Sequence, residues 1–313
     1  MNKNYIVVGD WSKASDSKVY IYSSATSSKP HELVHTITMD RSNRIWDVSI
    51  REDDTIVAVS ANFNDTFYDM FSPMIVYERH ERSWEQTFAY KWKSPFHPIQ
   101  LSISGHHIAV ARARITDETT ESGERFVDTF RRTRGQWNIN QSIELPKCEN
   151  CDLSILAVNL LDEKMVISAP DDSQEGPDIF VYELDKDSRE WVQDGLPIYS
   201  LDSFNPLWNI GGYYNPRSVA IQGDLVAVMG TWFPDEDYYV GAIVFKRRDT
   251  MGFVDWLPYI KLKITEDEED EYLPSNVILD GNMVYVSYFA DEYHWNRPGF
   301  VNVYDLNQVH SLV

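Results

Sequence analysis

The chain has 313 residues, with 49 acidic side chains against 28 basic ones, a formal net charge of −21, and 43% hydrophobic residues. A balance this acidic argues against a nucleic-acid binder, whose affinity rests on neutralising phosphates, and against adsorption to anionic lipid. No run of about 18 apolar residues occurs, so neither a transmembrane helix nor membrane insertion is expected.

In chain order, a short stanza recurs six times: apolar strand, tight polar turn, second apolar strand, variable loop, third strand, and usually a fourth strand near a Trp. Repeat 1 (1–40) opens at its second strand, Tyr5–Gly9, so its innermost strand is missing. Either that blade has three strands, or His310–Val313 returns to complete it and hide an edge. Repeat 2 (41–95) alternates over Ile56–Ala61, and repeat 3 (96–148) reads LSISGHHIAVARA over Leu101–Ala113. There Arg112 and Arg114 share one strand face. Repeat 4 (149–203) is followed by an insertion, Leu201–Pro216. Repeat 5 (217–265) reads SVAIQGDLVAVMG over Ser218–Gly230, and repeat 6 (275–313) reads NVILDGNMVYVSY over Asn276–Tyr288.

The matching second-strand positions are Val8, Val59, Val110, Ile167, Val228 and Val286, at steps of 51, 51, 57, 61 and 58 residues. A four-strand unit cannot bury both faces alone, so such copies pack on one another. The first turns, Ser104-Gly105, Gly223-Asp224 and Asp280-Gly281-Asn282, carry hairpin chemistry. No sustained 3.6-residue period appears. The expected fold is all-β: a single β-propeller over 1–313, with six blades of about four antiparallel strands.

The stanza resembles the FG-GAP repeat of integrin-alpha-like β-propellers. The resemblance is carried by Ser168–Pro170, by the third strands Gly241–Phe245 and Gly299–Tyr304, and by the hairpin–Trp connections Arg79–Trp84 and Leu184–Trp191. It implies the propeller fold over nearly the whole chain and an extracellular or surface-associated setting. The chain as written carries no apolar leader and reads as cytoplasmic. The family's calcium loop, Asp-x-Asp-x-Asp-Gly, is absent from every copy. No cofactor is expected. Calcium is the one metal the resemblance raises, with Asp171, Asp172 and Asp178 as the weak candidates.

Catalytic motifs are scarce: there is no Gly-x-Ser-x-Gly, P-loop, His-Glu-x-x-His or Gly-x-Gly-x-x-Gly. Both cysteines lie in Cys148–Cys151. That pair reads as inert or loop-stapling, as a local disulfide, or as half of a metal site that would need further ligands. In repeat 3, Arg112, Arg114, Arg125, Arg131, Arg132 and Arg134 are expected to pair internally.

The loops that join second to third strands, and successive blades, are rich in aromatics and acids. Trp11, Phe67, Tyr68 and Trp208 belong to this set, as do Trp232, Phe233, Asp235, Tyr238 and Tyr239, and then Asp291, Tyr293 and Trp295. Trp92 and Phe96 lie on the same side. Aromatics on a polar surface suit recognition of a protein or glycan ligand; the competing expectation is that they fold inward. The reading is a non-catalytic binding or scaffold module with no catalytic residues. The alternative is an enzyme acting on a glycan or related polymer at the mouth of the central channel. The oligomeric state stays open.

Overall fold

The computed structural model describes residues 5–10, 17–23, 31–39, 43–51, 55–62, 73–81, 83–92, 96–117, 122–147, 156–169, 179–198, 213–233, 239–263, 272–290 and 299–308. The chain divides into two compact units, Met1–Lys147 and Cys148–Val313. Each holds three antiparallel sheets in which consecutive strands are neighbours, the sheet pattern of a β-propeller.

In the first unit, β1 (Tyr5–Asp10), β2 (Lys18–Ser23) and β3 (Leu33–Thr38) form a three-stranded sheet. The next sheet is β4 (Asn43–Ile50), β5 (Thr55–Asn62), β6 (Pro73–His80) and β7 (Ser83–Lys91). The third is β8 (His97–Ser104), β9 (His107–Asp117), β10 (Ser122–Thr133) and β11 (Gln136–Glu144). In the second unit the sheets are β12 (Ala157–Leu161), β13 (Lys164–Ser168), β14 (Ile179–Leu184) and β15 (Trp191–Gln193), then β16 (Tyr213–Gln222), β17 (Leu225–Phe233), β18 (Tyr239–Thr250) and β19 (Phe253–Lys263). The last is β20 (Tyr272–Asp280), β21 (Met283–Ala290) and β22 (Phe300–Asp305).

Six blades of about four strands each is therefore not what the described residues form. Four sheets have four strands, and the first and last have three. Among the described residues, the first sheet begins at β1. Among the described residues the last ends at β22, and His310–Val313, the segment expected as one alternative to return to blade 1, lies outside them. The expected insertion Leu201–Pro216 is also shorter as a loop, because β16 starts at Tyr213 and pairs with β17 from Tyr213↔Phe233 onward.

The alternation of β17 explains why such sheets stack. Val226 and Val228 are buried in a core with Val219, Ile221, Ile243 and Trp256. Ala227 and Met229 are buried in another, with Val277, Val284 and Val286. Successive side chains leave opposite faces of a strand, so this strand is buried on both sides and reads as a continuous apolar run. In the first unit, Ile21 and Val19 pack against Ile45, Ile56 and Trp84. Met74 and Val76 pack against Leu101, Val110 and Phe130. At the first hairpins, Gly105, Gly223 and Gly281 take positive φ, and Asp162 takes 54° at the matching turn. This is the left-handed backbone a two-residue hairpin turn requires.

Polar ties join neighbouring sheets at their seams. Arg132 on β10 and Trp137, its cross-strand partner on β11, both donate to Glu78 on β6, at 2.9 and 3.4 Å. In the second unit Arg247 and its cross-strand partner Trp256 both donate to Asp194, the arginine to the carboxylate at 3.1 Å and the indole to the main-chain carbonyl at 3.1 Å. Arg79, paired with Trp84, lies 5.1 Å from the Tyr5 ring, which meets Trp84 edge-on. The Arg–Trp pairing on the hairpin of third and fourth strands is thus a repeated device for holding the preceding sheet.

Candidate functional site

The richest polar cluster of the first unit grows from the register of β9 on β10. Arg112 faces Phe126, Arg114 faces Glu124, and Val110 faces Asp128. Directly opposed residues share a sheet face, so two arginines, two acids and an aromatic ring come to one side. Arg112 grips Asp128 side-on, Nε to Oδ2 at 2.6 Å and Nη2 to Oδ1 at 3.1 Å. Asp128 is 1% exposed and accepts two further bonds, from Ser142 Oγ at 2.7 Å and from Trp92 Nε1 at 2.5 Å. A buried carboxylate is tolerable only when supplied this fully with donors.

The guanidinium of Arg112 lies 4.1 Å from the Phe96 ring centroid and 4.4 Å from that of Phe126. Arg114 also stands over Phe96, at 5.2 Å, while its Nη2 meets Glu124 at 2.5 Å. Cations on aromatic faces gain from the ring quadrupole, most of all where water is excluded.

One row of the same sheet leads to a second group. Leu101 faces Val110 and Val110 faces Asp128. The Leu101 amide donates to Asp47 Oδ2 at 2.9 Å across the seam from β4. Asp47 Oδ1 accepts from the Val48 amide at 2.8 Å. Leu101 and Asp128 are two strands apart, about 10 Å by strand spacing. Burial pushes the Asp47 carboxyl from 3.8 up to about 6, and the two amide bonds offset only part of that rise. Its register partner is Val59, and the equivalent positions of the later sheets hold Leu101, Val158, Val219 and Val277. A carboxylate thus stands where every other aligned sheet has an apolar side chain. That substitution was the signal available in the sequence, and it is visible only once first strands are aligned through their partners.

Three of the six arginines of repeat 3 pair internally: Arg112 with Asp128, Arg114 with Glu124 and Arg132 with Glu78. Arg125, 2% exposed, donates to the Pro146 carbonyl. Trp92 and Phe96 turn inward, the first onto Asp128 and the second beneath Arg112. Of the aromatic and acidic set, Trp232, Phe233 and Tyr239 lie on strand ends rather than loops. The Trp232 backbone pairs with both Tyr214 and Tyr239. Trp11, Phe67, Tyr68, Trp208, Asp235, Tyr238, Asp291, Tyr293 and Trp295 lie outside the described residues, as do Asp171, Asp172, Asp178, Cys148 and Cys151. Among the described residues, no three His, Cys, Asp or Glu side chains group as metal ligands, and no helix is long and apolar enough to cross a membrane.

No family model and no curated protein matches this chain, so the FG-GAP resemblance rests on its quoted residues alone. Solved structures do match in fold. An acylaminoacyl peptidase from Pyrococcus horikoshii aligns over 97% of this chain at 11% identity and a TM-score of 0.51, and the chain spans 44% of its length. A structure assigned as a 6-phosphogluconolactonase from Bacteroides uniformis aligns over 98% at 10% identity and a TM-score of 0.50, spanning 96% of that chain. The β-propeller domain of the Trilobed protease from Pyrococcus furiosus aligns over 99% at 11% identity and a TM-score of 0.48, spanning 80% of that chain. At these identities the likeness to the first two establishes the fold alone. It also corrects the preference for a non-catalytic binding or scaffold module, since the neighbours sharing the fold are named for hydrolysis.

Proposed function

We propose that this chain belongs to a hydrolytic enzyme that cleaves an acyl bond, an amide, ester or lactone, with Asp47 as its proton-transfer group. The observation that carries the reading is the half-buried Asp47, raised to about 6 at a position its sister sheets fill with apolar side chains. A group titrating near neutrality suits general acid–base work, because it can take and return a proton at working pH. Support for the bond class comes from the fold neighbours, a peptidase and a lactonase, whose names share attack on a carbonyl carbon.

In the proposed step the Asp47 carboxylate accepts a proton from a water molecule. The water oxygen bonds to the carbonyl carbon, the bond to the leaving nitrogen or oxygen breaks, and the proton passes to that leaving atom. Arg112 and Asp128 hold the neighbouring sheet in register without taking part in the transfer.

The test is hydrolysis of a sugar-acid lactone, an aryl ester and an acylamino-peptide by the purified chain, with Asp47→Asn alongside. Turnover of one class should rise with pH through about 6, and the variant should lose roughly 100-fold or more while keeping its cooperative unfolding. Activity undiminished in Asp47→Asn, or absent on all three classes, would overturn the assignment.

A further inference from the structure

The Arg112 guanidinium holds one nitrogen, Nη1, that no acceptor among the described residues takes up. Its Nε and Nη2 are committed to Asp128, with Nη2 also 3.3 Å from Ser142 Oγ, whereas the buried Nη1 has no hydrogen-bond partner. Arg112 is 8% exposed, so water does not serve that nitrogen freely. Arg114, two residues on and on the same face, repeats the pattern. Its Nη2 is on Glu124, and its Nε is buried without a partner. Both guanidinia stack on one ring, Phe96.

A charged N–H stripped of water costs free energy until an acceptor arrives. Here two such donors flank a single aromatic plate, and both are fixed in advance. Arg112 is gripped side-on by Asp128 and sandwiched by Phe96 and Phe126, which turns Nη1 away from the carboxylate. The Arg114 side chain is 33% exposed, so solvent reaches part of that side chain, although its Nε, like Arg112 Nη1, is buried.

We propose that Arg112 Nη1 and Arg114 Nε bind the carboxylate of a small organic acid. Charge selects this class. Each arginine is already matched by one acid, Asp128 or Glu124, so the cluster is neutral before the ligand arrives. A carboxylate has two coplanar oxygens for two donors and leaves one uncompensated negative charge on this cluster, where a dianion would leave two. The site is independent of acyl hydrolysis, since it is read by binding and not by turnover.

The experiment is a titration of the intact chain with acetate at constant ionic strength. It is followed by calorimetry and by intrinsic tryptophan fluorescence, read against a Trp92→Phe variant to isolate the indole that bonds Asp128, with inorganic phosphate as the comparison. Saturable acetate binding with a dissociation constant on the order of 1 mM, accompanied by a change in indole emission, is expected. Arg114→Gln, on the partly exposed member, should weaken it about tenfold with its unfolding transition preserved. Arg112→Lys, which keeps the charge but loses the fork, should abolish it. No saturation with acetate, tighter binding of phosphate than of acetate, or equal affinity in Arg114→Gln would overturn the proposal.

Discussion

Replacing Asp47 by asparagine should flatten the pH dependence of stability between about pH 4 and pH 6. The wild-type carboxyl moves from 3.8 to about 6 on folding. A rise of about two units, at 1.36 kcal/mol each, amounts to about 3 kcal/mol, at the upper end because Asp47 keeps some solvent exposure. The sign follows from proton counting. Between the two values the folded chain keeps a proton that the unfolded chain has released, so stability falls as pH rises through this window and levels off above about 6. Desolvation is the larger influence here, and the amide bonds from Leu101 and Val48 the smaller. The substituted carboxamide carries no proton to exchange, so it removes the slope. Urea unfolding of both proteins at half-unit pH steps gives the comparison, and subtraction cancels the remaining acids of the chain. A wild-type-minus-variant difference that stays flat from pH 4 to pH 6, or that climbs with pH, would refute the reasoning. It would mean that Asp47 is solvated, or that its amide bonds outweigh its burial.

Two further outcomes concern the seams. Glu78→Gln leaves Arg132 without its countercharge beside a half-satisfied Trp137 indole and should cost about 2–3 kcal/mol. A double-mutant cycle with Arg132→Met should show clear coupling, and additive losses would deny the tie. Gly195 sits at φ +85° with its missing Cβ 2.7 Å from the Val254 carbonyl oxygen, so Gly195→Ala should destabilise by about 1–3 kcal/mol. An unchanged melting temperature would place that contact elsewhere.

The stanza itself was legible because a hairpin with a left-handed turn between two apolar strands is a local signal. Ser104–His107 and Gln222–Leu225 declare it without help from the rest of the chain. The internal pairing of Arg112 and Arg114 was legible too, because alternation put them on one face and nearby acids offered partners, whereas Arg132 finds Glu78 only across the seam to the preceding sheet. Trp92 and Phe96 were harder. Position in a connection places them on the loop side, but the buried carboxylate of Asp128, on the third strand further on, draws the indole inward. Asp47 could not be singled out among 49 acids, since its meaning lies in the apolar residues at equivalent positions. The extent of β16 was missed because Tyr213–Pro216 carries no alternation and becomes strand only by pairing with the far end of β17.

The Arg–Trp ties gather at the hairpins of third and fourth strands, the same end of each sheet as its first hairpin. Antiparallel connectivity sends the links between second and third strands to the other end. Within each unit the described ties of this kind sit at one end of the sheets, and among the described residues none sits at the other. Connections at that other end can change length or composition without touching these Arg–Trp ties. This division gives a degenerate repeat a way to alter what it contacts from one descendant to the next while its scaffold stays the same.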